Sequence, residues 1–172
     1  MIVLTRIDDR LIHGQTVEGW VTFLKATRIL VADDAVASNK FQRSVMELAV
    51  PEGLALTIGT VQEISNLLKA SAFDRERVIV LFSNPADLLR ALDAGMEIKS
   101  VNIGGMHFAP EKQKLLDVLA VDQKDLDALR EMSARGIEVL IQTVPTERSV
   151  TLAQVLADCG ITLGRLSRYH SK

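Results

Sequence analysis

Short runs rich in Val, Ile and Leu recur at 2–7, 28–32, 55–58, 77–82, 98–103 and 137–142, each bounded by turn-forming or charged residues. Runs of this length and character predict buried strands. Between them the apolar spacing becomes helical. Val17, Trp20, Val21 and Leu24 fall at i, i+3, i+4 and i+7 on one helix face, and Phe41, Val45 and Leu48 form a second stripe. Val61, Ile64 and Leu68 follow the third strand, Leu88 and Leu92 the fourth, and Leu126 with Leu129 precedes the sixth. Asn84-Pro85 suits a helix start, with Asn as cap and Pro at the first helical position. Such alternation predicts an α/β fold, a mainly parallel central sheet with helices on both faces. The interval 104–121 breaks the rhythm with Gly-Gly and Pro110, and only 117–121 reads as extended. A loop with one short antiparallel edge strand is expected there.

At 172 residues, against roughly 150 per domain, the chain is expected to form one domain. Its body is 1–150, and 151–172 is a terminal helix and tail of the same domain, with Leu152, Val155 and Leu156 followed by the basic Arg165, Arg168 and Lys172. A net charge of −2 and 4% aromatic residues supply neither basic excess nor stacking surface, which argues against nucleic acid as a partner. The single cysteine, Cys159, cannot form an intramolecular disulfide and reads as a buried free thiol. The longest unbroken apolar run, Val78–Phe82, has five residues, where a membrane-spanning helix needs about 20. The N-terminus lacks the basic and apolar regions of a secretory leader, so a cytoplasmic location is expected.

In an open parallel sheet, ligands bind beyond the carboxyl ends of the strands. The first such loop is the richest in chemistry: Asp8, Asp9, Arg10, Leu11, Ile12, His13, Gly14 and Gln15 lead into the first amphipathic segment. A neutral imidazole is a competent nucleophile near pH 7 and can hold a phosphoryl group on nitrogen. A helix starting at Gly14 would offer unsatisfied backbone N–H groups to an anion, with no side chain in the way. Arg10 would supply a permanent charge with paired donors for phosphate oxygens. Asp8 or Asp9 could accept a hydrogen bond from one imidazole nitrogen and leave the other free to attack. The same residues also read more plainly, with Asp9 and Arg10 as a surface ion pair and His13 as an exposed side chain. What favours chemistry is the gathering of His, Arg, Gly and a helix start in one βα turn.

The segment Arg6-Ile7-Asp8-Asp9-Arg10-Leu11-Ile12-His13-Gly14-Gln15, followed by Trp20, resembles the phosphorylation-site signature of enzyme IIB of the mannose/fructose/sorbose family of the bacterial phosphoenolpyruvate-dependent sugar phosphotransferase system. The likeness continues through Val31-Ala32-Asp33-Asp34, Phe82-Ser83-Asn84-Pro85, Asn102-Ile103-Gly104-Gly105-Met106-His107 and Val144-Pro145-Thr146. The resemblance implies that His13 accepts a phosphoryl group from phosphorylated enzyme IIA and transfers it to a sugar imported by the membrane IIC/IID complex. It implies that Arg10 contacts the phosphate and that Asp8, Asp9, Gly14 and Gln15 support the loop. It further implies a cytoplasmic protein peripheral to the inner membrane through its partners, working through a transient phosphohistidine without cofactor or metal. The extension beyond 147 is longer than the family pattern leads one to expect.

The loop Gly104-Gly105-Met106-His107 follows another strand and would form a facing wall of the crevice if that strand lies near the first; a tight turn with His107 merely exposed explains it equally well. Asp33 and Asp34 read as helix-entry residues, and Trp20 as core or as an anchor for a partner. None of the ten glycines makes a Walker or dinucleotide-binding pattern, which argues against ATP and NAD. Histidines at 13, 107 and 170 have no zinc-like spacing. Two rival readings are a receiver-like signalling module and a catalytically idle IIB-like binding or regulatory module. The first lacks a phosphorylatable aspartate after the third strand, which ends Thr57-Ile58-Gly59-Thr60.

Overall fold

The structure is a computed structural model that describes residues 1–161. Its strands are β1 (Ile2–Asp8), β2 (Arg28–Ala32), β3 (Ala55–Gly59), β4 (Val78–Phe82), β5 (Ser100–Gly105), β6 (Gln113–Leu116), β7 (Leu119–Val121), β8 (Glu138–Ile141) and β9 (Val150–Thr151). A π-helical segment, Gln15–Val21, runs into α1 (Thr22–Leu24), and the remaining helices are α2 (Asp34–Ser38), α3 (Lys40–Ala49), α4 (Val61–Lys69), α5 (Pro85–Asp93), α6 (Gln123–Ala134) and α7 (Leu152–Asp158). The main sheet has the order β3-β2-β4-β1-β5-β8-β9. All pairings in it are parallel except β8 with β9.

Because β1 lies between β4 and β5, the chain leaves it to one side for β2 to β4 and to the other for β5 and β8. The carboxyl end of β1 is therefore a topological switch point, where loops diverge and open a crevice. Alternating side chains fill a core on each face. Leu30, Val80, Phe82 and Ile103 meet Ile64, Leu88, Leu129 and Leu156 of α4, α5, α6 and α7. On the other face Ile29, Val31, Ile79 and Leu81 meet Trp20 and Val36, with Met46 of α3 packed against them. All five residues of β4 are buried, as a central parallel strand requires.

The parallel sheet with helices on both faces matches the expectation, and several details differ. The strand expected at 98–103 runs on through Gly105, taking in the Gly-Gly pair. Within 117–121, β7 pairs antiparallel with β6 in a separate hairpin, and the antiparallel edge of the main sheet is β9. The first helical segment winds as a π-helix, a form enriched at functional sites. The stripe on α3 faces outward, with Phe41, Val45 and Leu48 exposed by 77%, 50% and 87%. Amphipathic spacing establishes that a helix has an apolar side, and here only Met46 turns toward the core. Cys159 is exposed rather than buried. The terminal helix begins at Leu152, while the basic end with Arg165, Arg168 and Lys172 lies outside the described residues.

The register between β1 and β5 slips after Ile7, since Ile7 pairs with Ile103 but Asp8 pairs with Gly105. Gly104 is left as the extra residue of a bulge. Its bare Cα faces the Arg6 guanidinium so closely that an added Cβ would lie 1.8 Å from Nη2. Only glycine fits.

Replacing Leu129, which is fully buried, with Ala is expected to lower unfolding stability by about 2–5 kcal/mol. Leu48→Ala should change it by no more than about 0.5 kcal/mol, and urea melts of the pair check the orientation of α3. Gly104→Ala is expected to destabilise by about 3 kcal/mol through overpacking. Gly14→Ala adds a Cβ with nothing within 4 Å, so equal melts for the two glycine variants would rule out the Arg6 fit.

Candidate active site

At the end of β1 the chain reverses over four residues, closed by the Leu11 N–H donating to the Asp8 carbonyl at 2.9 Å. Leu11 takes a left-handed φ of 55°, a conformation unfavourable for a branched side chain. Burial of Leu11 and Ile12 in the core beside Trp20 holds it there. The Thr16 hydroxyl, fully buried, donates to the Leu11 carbonyl at 3.2 Å and ties the loop to the π-helical segment. The His13 carbonyl accepts the N–H groups of Thr16 and Val17. The imidazole thus stands where the loop meets the start of the helix.

Asp8 is the hub. Its Oδ2 accepts from Arg6 Nη2 at 2.9 Å and faces His13 Nε2 at 2.9 Å. Its Oδ1 accepts the Arg10 N–H at 3.2 Å and Arg10 Nε at 3.3 Å. Four donors meet a carboxylate with about four acceptor sites. Asp8 and Arg6 are fully buried, whereas the His13 and Arg10 side chains are 16% and 41% exposed. Burial alone would push the Asp8 carboxyl up. The hydrogen bond from His13, the charges of Arg6 and His13 and the Arg10 N–H outweigh it and bring the group down to about 2.

Arg6 received no role from the sequence, and the structure makes it the floor of the site. Nη1 donates to Asn102 Oδ1 and to the Gln142 carbonyl, and Nη2 also donates to the Thr143 carbonyl at 3.2 Å. The guanidinium lies 5.6 Å from the centroid of the Trp20 ring, whose indole N–H donates to the same Thr143 carbonyl. Trp20 is thereby a core residue. Burial pulls the Arg6 pKa down and Asp8 pulls it back up. Its signal in the sequence was a charge two positions before Asp8 in a strand, which puts both side chains on one face.

The remaining candidates separate clearly. Asp9 does not touch His13; its carboxylate holds His107, through the backbone N–H at 2.7 Å and Nδ1 at 2.5 Å. Gln15 Oε1 accepts from Arg10 Nη2 at 3.0 Å. Gly14 adjoins open space. Gly104 and Gly105 do lie beside β1, but Gly104 accommodates Arg6 rather than facing the crevice. Above Gly105 a point at the Cβ position lies 3.3 Å from His107 Cε1, 3.4 Å from Asp8 Oδ1 and 3.6 Å from Arg10 Nη2. Asp33 caps α2 and accepts from Ser83, and Asp34 binds Arg90 and the Val61 N–H. Those two carboxylates pin neighbouring loops. Among the described residues no group of three or more His, Cys, Asp or Glu could hold a metal ion.

An ionised carboxylate can only accept, so His13 Nε2 carries the hydrogen between them, and in the neutral ring Nδ1 keeps its lone pair. Among the described residues Nδ1 has no protein partner. In that form of the ring Nδ1 is a nucleophilic nitrogen, in the same loop as a guanidinium that is partly in solvent.

The family described as PTS system sorbose subfamily IIB component matches residues 2–164. The chain is 38% identical over 155 residues to the N-acetylgalactosamine-specific phosphotransferase enzyme IIB component 2 of Escherichia coli K12, covering 90% of this chain and 98% of that one. It is 34% identical to the mannose-specific EIIAB component of the same strain, covering 91% of this chain and 49% of that protein, so it spans about half of that relative. Among solved structures, the IIBSor domain of the sorbose permease from Klebsiella pneumoniae is 31% identical with a TM-score of 0.87, covering 92% of this chain and 97% of that one. A switch-point crevice built on Arg6, Asp8 and His13 thus sits in a chain whose relatives are phosphotransferase components over nearly its whole length, and the chain belongs to the sorbose subfamily of phosphotransferase-system IIB components.

Proposed function

We propose that this chain is a phosphoryl carrier in which His13 accepts a phosphoryl group from the phosphohistidine of a IIA protein and passes it to a sugar handled by membrane IIC and IID subunits. The bond between His13 Nε2 and Asp8 carries this reading, because it leaves Nδ1 as the attacking atom. As Nδ1 bonds to phosphorus, the P–N bond of the donor breaks and positive charge builds on the ring, where Asp8 faces it. Arg10 holds Asp8 through Nε and, partly in solvent, has further N–H donors suited to phosphoryl oxygens. Phosphohistidine has a high transfer potential, so the reaction needs no nucleotide, metal or other cofactor at this site, only positioning and charge.

The EIIAB name of the mannose relative joins an A and a B component in one protein, which supports a IIA donor. Relatives named for N-acetylgalactosamine, mannose, fructose and sorbose support a hexose or amino-hexose acceptor. Among the described residues no helix is long and apolar enough to cross a membrane. Membrane subunits would supply that function, with this chain at the cytoplasmic face.

Incubated with phosphoenolpyruvate, enzyme I, the histidine-containing phosphocarrier and a IIA protein, the chain is expected to take up one acid-labile phosphate. His13→Ala should take up none, and label persisting in that variant would reject His13. An unlabelled wild type would favour the idle binding module. Arg10→Ala should stay folded and charge about 10²-fold more slowly; an unchanged rate would remove Arg10 from the reaction.

Asp8 stands at about 2, below its ordinary 3.8. Its contribution to stability is therefore complete above pH 3.8 and is lost as pH falls through 2, amounting to about 2 kcal/mol at ~1.4 kcal/mol per unit. Carboxyl-detected NMR titration should give a midpoint near 2. A midpoint at or above the ordinary value would show that Asp8 is not held as the anion that orients His13.

A further inference from the structure

Accepting phosphate from one imidazole onto another moves no hydroxyl proton. Passing it to a sugar does. The acceptor O–H must lose its proton as oxygen bonds to phosphorus, and neither His13 nor Arg10 offers a free base until the P–N bond has broken. His13 Nδ1 is the leaving nitrogen and Nε2 is already protonated against Asp8. Arginine remains a cation throughout the useful pH range.

A second imidazole stands at the same crevice. Met106 is fixed by backbone bonds to the β6–β7 hairpin, with its N–H donating to the Val118 carbonyl at 2.9 Å and its carbonyl accepting from Ala120 at 2.8 Å. His107 follows it and is clamped by both oxygens of Asp9. With Nδ1–H on that carboxylate, Nε2 of the neutral ring keeps its lone pair, and it has no protein partner among the described residues. The side chain is 51% exposed. Its Cε1 edge borders the recess above Gly105 that Asp8 Oδ1 and Arg10 Nη2 also border. The ring is oriented by a carboxylate and half exposed at the rim of that recess.

We propose that His107, oriented by Asp9, is the general base for transfer from phospho-His13 to the sugar hydroxyl, a role that rests on the carrier reading above. The P–N bond breaks with its electron pair returning to His13 Nδ1. The sugar oxygen bonds to phosphorus, and its proton passes to His107 Nε2, then to solvent. A base of this kind accelerates proton transfer by about 10²–10⁴-fold. The base is idle in the charging step, and this separates it from a phosphate ligand, which would serve both steps. The charged and titratable groups around the ring are Asp9, Arg10 and Asp8, with His13 beyond Asp8.

The test measures the two half-reactions separately. Wild type, His107→Gln and Asp9→Asn are labelled by phospho-IIA, freed of the donor, and mixed with membranes bearing cognate IIC and IID subunits. Mannose, N-acetylgalactosamine, fructose and sorbose are offered in turn. Both variants should charge at the wild-type rate and discharge about 10²-fold more slowly. The pH profile of wild-type discharge should differ from that of His107→Gln, whereas their charging profiles should coincide. Equal slowing of charging and discharge overturns the base and makes His107 a phosphate ligand. Wild-type discharge by His107→Gln overturns it too. Wild type that charges but labels none of the sugars overturns the base while keeping His13 as acceptor, and wild type that never charges removes the carrier reading and the base with it.

Discussion

The crevice depends on one buried ion pair, Arg6 with Asp8 at 2.9 Å, both side chains wholly inside the protein. Burying two charges is expensive, and a pair of this kind is weak evidence for stability. Arg6 even leaves its Nε without a partner. What the pair supplies is a fixed anion under His13. Asn102 and the carbonyls of Gln142 and Thr143 hold the guanidinium from β5 and from the loop after β8. The guanidinium holds Asp8, and Asp8 sets the ring hydrogen of His13.

The two aspartates of the first loop are adjacent in sequence and opposite in use. Asp8 ends β1 on the face it shares with Arg6. Asp9 begins the reversal, donates its N–H to the Gly105 carbonyl and turns its carboxylate across to His107. One carboxylate is buried and saturated, the other is 36% exposed on its side chain. The crevice thus has an inner imidazole–carboxylate pair and an outer one, built from consecutive residues.

Much of this was legible in the sequence. Strands rich in Val and Ile declared themselves because a parallel sheet buries both faces, and the first loop did because an imidazole, a guanidinium and a helix start coincide there. The choice between Asp8 and Asp9 was not legible, since it depends on how the left-handed Leu11 turns the chain. Nor was the π winding, because Val17, Trp20, Val21 and Leu24 show periodicity without showing pitch. Arg6 was hidden by its setting in an apolar strand, and its ligands come from residues distant in sequence. The α3 stripe misled for the opposite reason: local spacing cannot tell which side of a helix the sheet occupies.

The contact between Arg6 and Gly104 joins positions far apart in the chain into one heritable unit. Any side chain at 104 collides with the guanidinium, and an uncharged residue at 6 takes from Asp8 its one fully buried counter-charge. A single substitution at either position therefore disturbs the other, and only a paired exchange could keep the packing intact.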